Sequence, residues 1–175
     1  MEVSLAMPTQ DHLNWLQQRV GADSLPGTAF AAAMQFALLW MYFEGQACQS
    51  EANPKKLRAF SKDLYSRKLD SLRGKLEVPL DYFKSRYGDV RRDPDEFIDR
   101  LGGKDRVKAE DRVAIINALT LDGVDEVDKA IGLLLICYRI RNNLFHGTKL
   151  IPSFQQQEDL FASVGLVLRT LLEAK

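Results

Sequence analysis

The stretch VDEVDKAIGLLLICYRIRNNLFHG, residues 124–147, decides how this chain folds. Its apolar positions Val127, Ile131, Leu134, Leu135, Tyr138 and Phe145 recur at steps of three, four and seven. That spacing places them on one face of a helix. Gly147 stands where a helix terminator belongs. Beyond a short connector, Ser153 and Gln156 have the spacing of a capping box. They open a final amphipathic helix whose stripe is Leu160, Phe161, Val164, Leu168, Leu171 and Leu172. So short a link predicts an antiparallel helical hairpin over about 124–174.

Upstream, the same helical period recurs. Residues 9–19 read as a short amphipathic helix around Leu13, Trp15 and Leu16, ended by Gly21 and the Leu25-Pro26-Gly27 break. Thr28 is placed to cap a helix over about 28–48 that is apolar nearly all round, the pattern of a helix surrounded by others. Asn53 before Pro54 is an N-cap with proline at the first helical position, and that helix runs to about residue 66. Gly74, Pro79 and Gly88 predict broken helical pieces and loop over 69–90. Asp93 and Pro94 repeat the cap-and-proline signal, with Asp95 and Glu96 suited to a helix N-terminus, and that helix ends near Gly102-Gly103. Residues 108–120 form another helical segment. No alternating strand pattern and no internal repeat occurs. The expected fold is an all-α bundle, a single domain over residues 1–175.

The bulk numbers exclude some classes. The 175 residues suffice for one sizeable core, and equal counts of 24 basic and 24 acidic side chains leave no global field to attract a polyanion or a membrane. The N-terminus lacks a basic segment followed by an apolar run, so no signal peptide is read. The run at 29–43 is too short to span a bilayer. Cys48 and Cys137 are far apart and read as two reduced core thiols, which implies a cytoplasmic protein. Two histidines and two scattered cysteines give no metal-site spacing, and no phosphate loop or hydrolase signature is present. Charge is uneven, however. Residues 53–92 hold 12 Lys and Arg against 5 Asp and Glu, whereas 93–128 hold 5 against 11. Phe60, Tyr65, Tyr82, Phe83 and Tyr87 interleave the basic stretch. Two readings follow: a surface for unpaired nucleic acid with rings to stack on bases, or a basic half pairing with an acidic half over core aromatics.

The end of the helix at 124–147 is chemically unusual. At roughly 100° per residue, Asn142 and His146 share a face, and Arg139 lies within about 20° of it. Asn143 is nearby, whereas Arg141 is roughly 140° from His146. Histidine exchanges protons near neutrality, arginine holds a phosphate through paired hydrogen bonds, and asparagine orients a ring nitrogen or a phosphate oxygen. Such a set can cleave RNA without metal. A base takes the ribose 2′-hydroxyl proton, the oxygen attacks the adjacent phosphorus, and arginine stabilises the developing charge. One histidine cannot easily act on both sides of the phosphate, and two copies across a two-fold axis can. A histidine and an arginine in the last turn also suit the helix dipole alone.

The stretch Arg141-Asn142-Asn143-Leu144-Phe145-His146 resembles the signature of the HEPN superfamily, the higher eukaryote and prokaryote nucleotide-binding domains. That signature is an arginine, a polar residue, then a histidine after four to six intervening residues. Arg141 and His146 match with four between, and Asn142 fills the polar place. Arg139 would match with six between. The helix order around the motif and the apolar helix FALLWMYFEGQA are also similar, whereas about 67–119 departs from the pattern as a partly irregular helical insertion. The resemblance implies a HEPN-like bundle that homodimerises and acts as a metal-independent endoribonuclease on single-stranded RNA, without cofactor. It implies a role as a toxin or phage-defence effector, with an antitoxin or other partner protein. The alternative it implies is a catalytically silent module that binds nucleotide, nucleic acid or protein. Carried over by residue, His146 is the general acid or base, Arg141 holds the scissile phosphate and Asn142 orients either one. Arg139, Asn143 and Lys149 are secondary candidates for RNA contact. Glu44 either faces the same cleft or is an exposed helix-end residue, the reading preferred here. His12 reads as a surface residue.

Overall fold

The computed structural model describes residues 27–87, 93–101, 107–145 and 157–175. Among them are seven helices and no strand, so the fold is all-α: α1 Gly27–Cys48, α2 Pro54–Leu72, α3 Glu77–Tyr87, α4 Pro94–Arg100, α5 Ala109–Thr120, α6 Glu126–Phe145 and α7 Glu158–Glu173. No helix among the described residues is long and apolar enough to cross a membrane. The segment expected at 9–19, His12 included, lies outside the described residues.

Two starts follow directly from local sequence. The Asn53 side chain accepts a hydrogen bond from the Lys56 N–H at 3.0 Å, and Pro54 opens α2. The Asp93 carboxylate accepts one from the Glu96 N–H at 2.9 Å, and Pro94 opens α4. Each satisfies a backbone donor that the first helical turn leaves without a partner. Thr28, by contrast, lies inside α1, and its hydroxyl donates to Glu158 Oε1 at 2.7 Å.

The middle is more regular than its glycines and prolines suggest. α2 runs on to Leu72 past a kink at Lys68, because Leu64, Tyr65 and Leu72 keep its buried side in the core. Gly74 then adopts φ +71°, a left-handed turn that glycine enters without a Cβ penalty. Pro79 does not break α3, since it sits in the first turn, where its missing N–H costs no helical bond. Leu72, Leu76, Leu80, Phe83, Phe97, Ile98, Leu101 and Ile115 all join the single buried cluster. The described part of 67–119 is therefore helical and belongs to the common core.

α6 is the central helix, with Ala130 through Cys137 fully enclosed. Its main neighbour is α5, to which the five residues 121–125 join it, with Gly123 at φ +73°. So tight a connection makes the two antiparallel neighbours. α2 packs on another side of α6. The final helix goes elsewhere. α7 lies mainly along α1, where Phe161 stacks on Phe36 with ring centroids 5.5 Å apart. Thr28 meets Glu158 at one end and Lys175 Nζ donates to the Gln46 carbonyl at the other, so α1 and α7 run parallel. The hairpin expected between α6 and α7 is thus a slight contact, and the motif-bearing helix pairs with α5. Ser153 and Gln156 lie outside the described residues. α7 is helical from Glu158, after Gln157 at φ −116°, ψ 4°.

α1 departs most from expectation. Ala29, Ala33, Phe36, Trp40 and Phe43 are buried, with Trp40 reaching Tyr138 of α6 and Phe43 meeting Phe60 of α2 edge-on. The opposite face is not surrounded: Met34, Leu38, Met41 and Tyr42 are 45%, 61%, 64% and 60% exposed. One apolar stripe satisfies the core, and the second is left to solvent.

Candidate active site

The site is built where α6 leaves the core. From Ala130 to Cys137 its side chains are enclosed; from Tyr138 onward only Ile140 and Asn143 are buried among the described side chains. The polar residues of the motif therefore occupy the helix end, where the packed layers open.

Arg141 and Asn142 are brought together. Arg141 Nη1 donates to Asn142 Oδ1 at 3.0 Å. Arg141 Nη2 lies 3.8 Å from Glu44 Oε2, with the two side chains 27% and 17% exposed. This corrects the preferred reading of Glu44, which is not an exposed helix-end residue. Its other oxygen, Oε1, accepts the Ala52 N–H at 2.7 Å. The reason lies in the turn that follows α1. Gln49 and Ser50 hold left-handed φ values of 53° and 60°, a conformation that costs non-glycine residues roughly 1–2 kcal/mol each. The turn is held by the Ser50 N–H on the Glu44 carbonyl at 3.1 Å, by Lys56 Nζ on the Cys48 carbonyl at 3.1 Å, and by the Glu44 carboxylate itself. Glu44 is the one charged residue in the 22 residues of α1. A lone charge in so apolar a helix is the signal that marked it.

Of the other candidates, Asn143 and Arg139 are described, and each has a different neighbour. Asn143 is 5% exposed, and its amide nitrogen donates to the Leu101 carbonyl at 2.7 Å, tying the end of α4 to α6. Its side chain points into the protein, away from the solvent in which RNA would lie. Replacing it with alanine is expected to cost about 1–3 kcal/mol, the penalty for leaving a buried carbonyl without that donor. Urea unfolding of Asn143→Ala checks this, and an unchanged midpoint would contradict it. Arg139 is half-buried and lines a cavity of about 30 Å³ with Pro54, Val107, Asp111 and Tyr138. Beside it, Arg58 Nη2 bonds buried Asp111 at 2.6 Å, joining the basic stretch to the acidic one. His146 and Lys149, with Gly147, lie outside the described residues.

The aromatics of the basic stretch are structural. Phe60, Tyr65 and Phe83 are buried, while Tyr82 and Tyr87 are half-buried and pack against that core. Tyr87 meets Phe97 edge-on at 5.0 Å. The rings are thus not laid out as a stacking platform for bases. Burial pushes the Tyr87 hydroxyl up to about 12. Both cysteines are buried and free. Burial, with help from Glu44, raises the Cys48 thiol to about 11, and burial raises Cys137 further. Such thiols are poor nucleophiles near neutral pH. Among the described residues, no three or more His, Cys, Asp or Glu cluster to hold a metal ion.

Chemically, a partly exposed guanidinium oriented by a carboxylate and a carboxamide suits a phosphate, because its planar fork is pre-organised for two parallel hydrogen bonds. Comparison of the chain with protein-family models, with curated proteins and with solved structures finds no match.

Proposed function

We propose that this protein is a metal-independent endoribonuclease of HEPN type that cuts single-stranded RNA by 2′-hydroxyl attack and works as a homodimer. The observation that carries the reading is the Arg141–Asn142 pair at the opening end of α6, four and three intervening residues before His146 in sequence. In this reading His146 of one protomer takes the 2′-hydroxyl proton. The oxygen attacks phosphorus and expels the 5′-oxygen, which receives a proton from the second protomer's histidine. Arg141 carries the charge that builds on the phosphate oxygens. The products are a 2′,3′-cyclic phosphate and a 5′-hydroxyl. The test is incubation of pure protein with labelled single-stranded RNA in EDTA. Cleavage is expected, and intact RNA across varied sequences would contradict the reading. A toxin or defence role, with an antitoxin as partner, fits such an activity.

The exposed face of α1 supports the homodimer. Met34, Leu38, Met41 and Tyr42 form a stripe without a charged side chain, bordering a groove of about 430 Å³ between α1 and α7 whose lining includes Leu39, Ala162, Gly165, Leu166 and Arg169, the last ion-paired with Glu173. An uncharged face can meet its own copy across a two-fold axis without like-charge repulsion. Glu44, two residues beyond Tyr42, links that face to Arg141. The double substitution Leu38→Lys, Met41→Lys is expected to turn a dimer into a monomer of unchanged helix content, read by light scattering and circular dichroism. A wild-type protein that stays monomeric at micromolar concentration would favour the silent binding module instead, with α1 as its protein-binding face.

A further inference from the structure

Glu44 makes two separable contacts with its two carboxylate oxygens. Oε1 accepts the Ala52 N–H at 2.7 Å, and Oε2 faces Arg141 Nη2 at 3.8 Å. The first contact is to a backbone whose neighbours, Gln49 and Ser50, hold left-handed φ values. The second is to the motif arginine on another helix, 97 residues away in sequence. We propose that Glu44 is a positioning residue. It anchors on the α1–α2 turn and biases the Arg141 guanidinium toward the α1 side of the helix end, where it is to meet the scissile phosphate. This rests on the endoribonuclease reading for its consequence in catalysis, though not for the tie itself.

The physical argument is one of rigidity. An arginine side chain has four rotatable bonds, and ordering it costs rotamer entropy that must otherwise be spent when substrate binds. Asn142 is a neighbour on the same helix turn and moves with Arg141. Glu44 belongs to α1, so its charge restrains the guanidinium relative to the rest of the core without locking it. It is itself fixed, because the Ala52 bond restrains the carboxylate. At 3.8 Å the ion pair is loose enough for a phosphate to join the guanidinium without displacing a tight partner.

The two contacts can be cut apart. Glu44→Gln keeps a carbonyl oxygen for the Ala52 N–H and removes the negative charge facing Arg141. Glu44→Ala loses both. The guanidinium rotation of Arg141 is read by side-chain ¹⁵N NMR, its signal assigned by its loss in Arg141→Lys. In Glu44→Gln the rotation is expected to quicken severalfold while the melting temperature holds. RNA cleavage should lose roughly tenfold in kcat with KM nearly unchanged. In Glu44→Ala the melting temperature should fall as well. Arg141 rotating equally fast in wild type and Glu44→Gln would overturn the proposal, as would equal kcat in an active enzyme. If the wild type cuts no RNA, the nuclease reading fails on its own, and the rotation measurement still decides whether Glu44 positions Arg141.

Discussion

Gly132→Ala is expected to destabilise the protein by about 2 kcal/mol or more, although alanine is the better helix former. A Cβ added at Gly132 would lie 2.3 Å from Ala118 Cβ and 2.9 Å from the Ala114 carbonyl oxygen. Both obstacles sit on α5, and neither is the tip of a flexible side chain, so a helix has to move. Overpacking of this kind costs typically 1–3 kcal/mol and occasionally more, and a contact this close belongs at the upper end. The gain in helix propensity returns only about 1 kcal/mol. The clash wins, and the melting temperature should fall by roughly 4–8 °C. Ala118→Gly in the same protein removes the nearer obstacle and should recover part of the loss. A Gly132→Ala protein as stable as wild type would mean that α5 and α6 do not meet at this spacing.

The second large effect concerns catalysis. Arg141→Ala should lower RNA cleavage by roughly 100- to 1000-fold, the usual consequence of removing one group that stabilises developing charge. The fold should be spared, because Arg141 is partly exposed and its ion pair with Glu44 is loose. Arg141→Lys keeps the charge and loses the planar fork, so an intermediate rate is expected. His146→Ala should be at least as damaging, since in the proposed mechanism it removes the proton-transfer group. Rates under single-turnover conditions check all three. Cleavage by Arg141→Ala within a few-fold of wild type would remove Arg141 from the mechanism.

What could be read without coordinates was what is local. Asn53-Pro54 and Asp93-Pro94 marked helix starts because a cap acts over three residues, and both caps are made. The all-helical fold followed from periodicity for the same reason. Partnership was less legible. α6 and α7 looked like a hairpin, yet the turn at 121–125 gives α6 to α5, and α7 pairs with α1. An amphipathic stripe says that a helix has a partner and does not say which. The apolar circumference of α1 suggested burial on all sides, and Met34, Leu38, Met41 and Tyr42 are exposed. Hydropathy alone does not separate a core face from an interaction face.

The candidate site shows the same division. Arg141 and Asn142 are adjacent in sequence and in space. On a helical wheel, however, Arg139, Asn142 and Asn143 share one polar stripe with His146 beside the apolar face. Asn143 instead holds the Leu101 carbonyl, and Arg139 lines a small cavity with Asp111 and Tyr138. A wheel gives an angle about the axis but not which neighbour stands there. Glu44 is joined to Arg141 only through the packing of α1 on α6, a relation no window of sequence contains. Phe60, Tyr65 and Phe83 of the basic stretch went to the core and Tyr82 and Tyr87 pack against it, as large rings usually do when a core is there to take them.

The most direct measurement is the chemistry of the RNA ends. Wild-type protein in EDTA should convert labelled single-stranded RNA to fragments ending in 2′,3′-cyclic phosphate and beginning with a 5′-hydroxyl. His146→Ala, purified identically, should yield none. Equal cutting by His146→Ala, or fragments with 3′-hydroxyl ends, would contradict an imidazole and a guanidinium acting together on the 2′-hydroxyl and the phosphate.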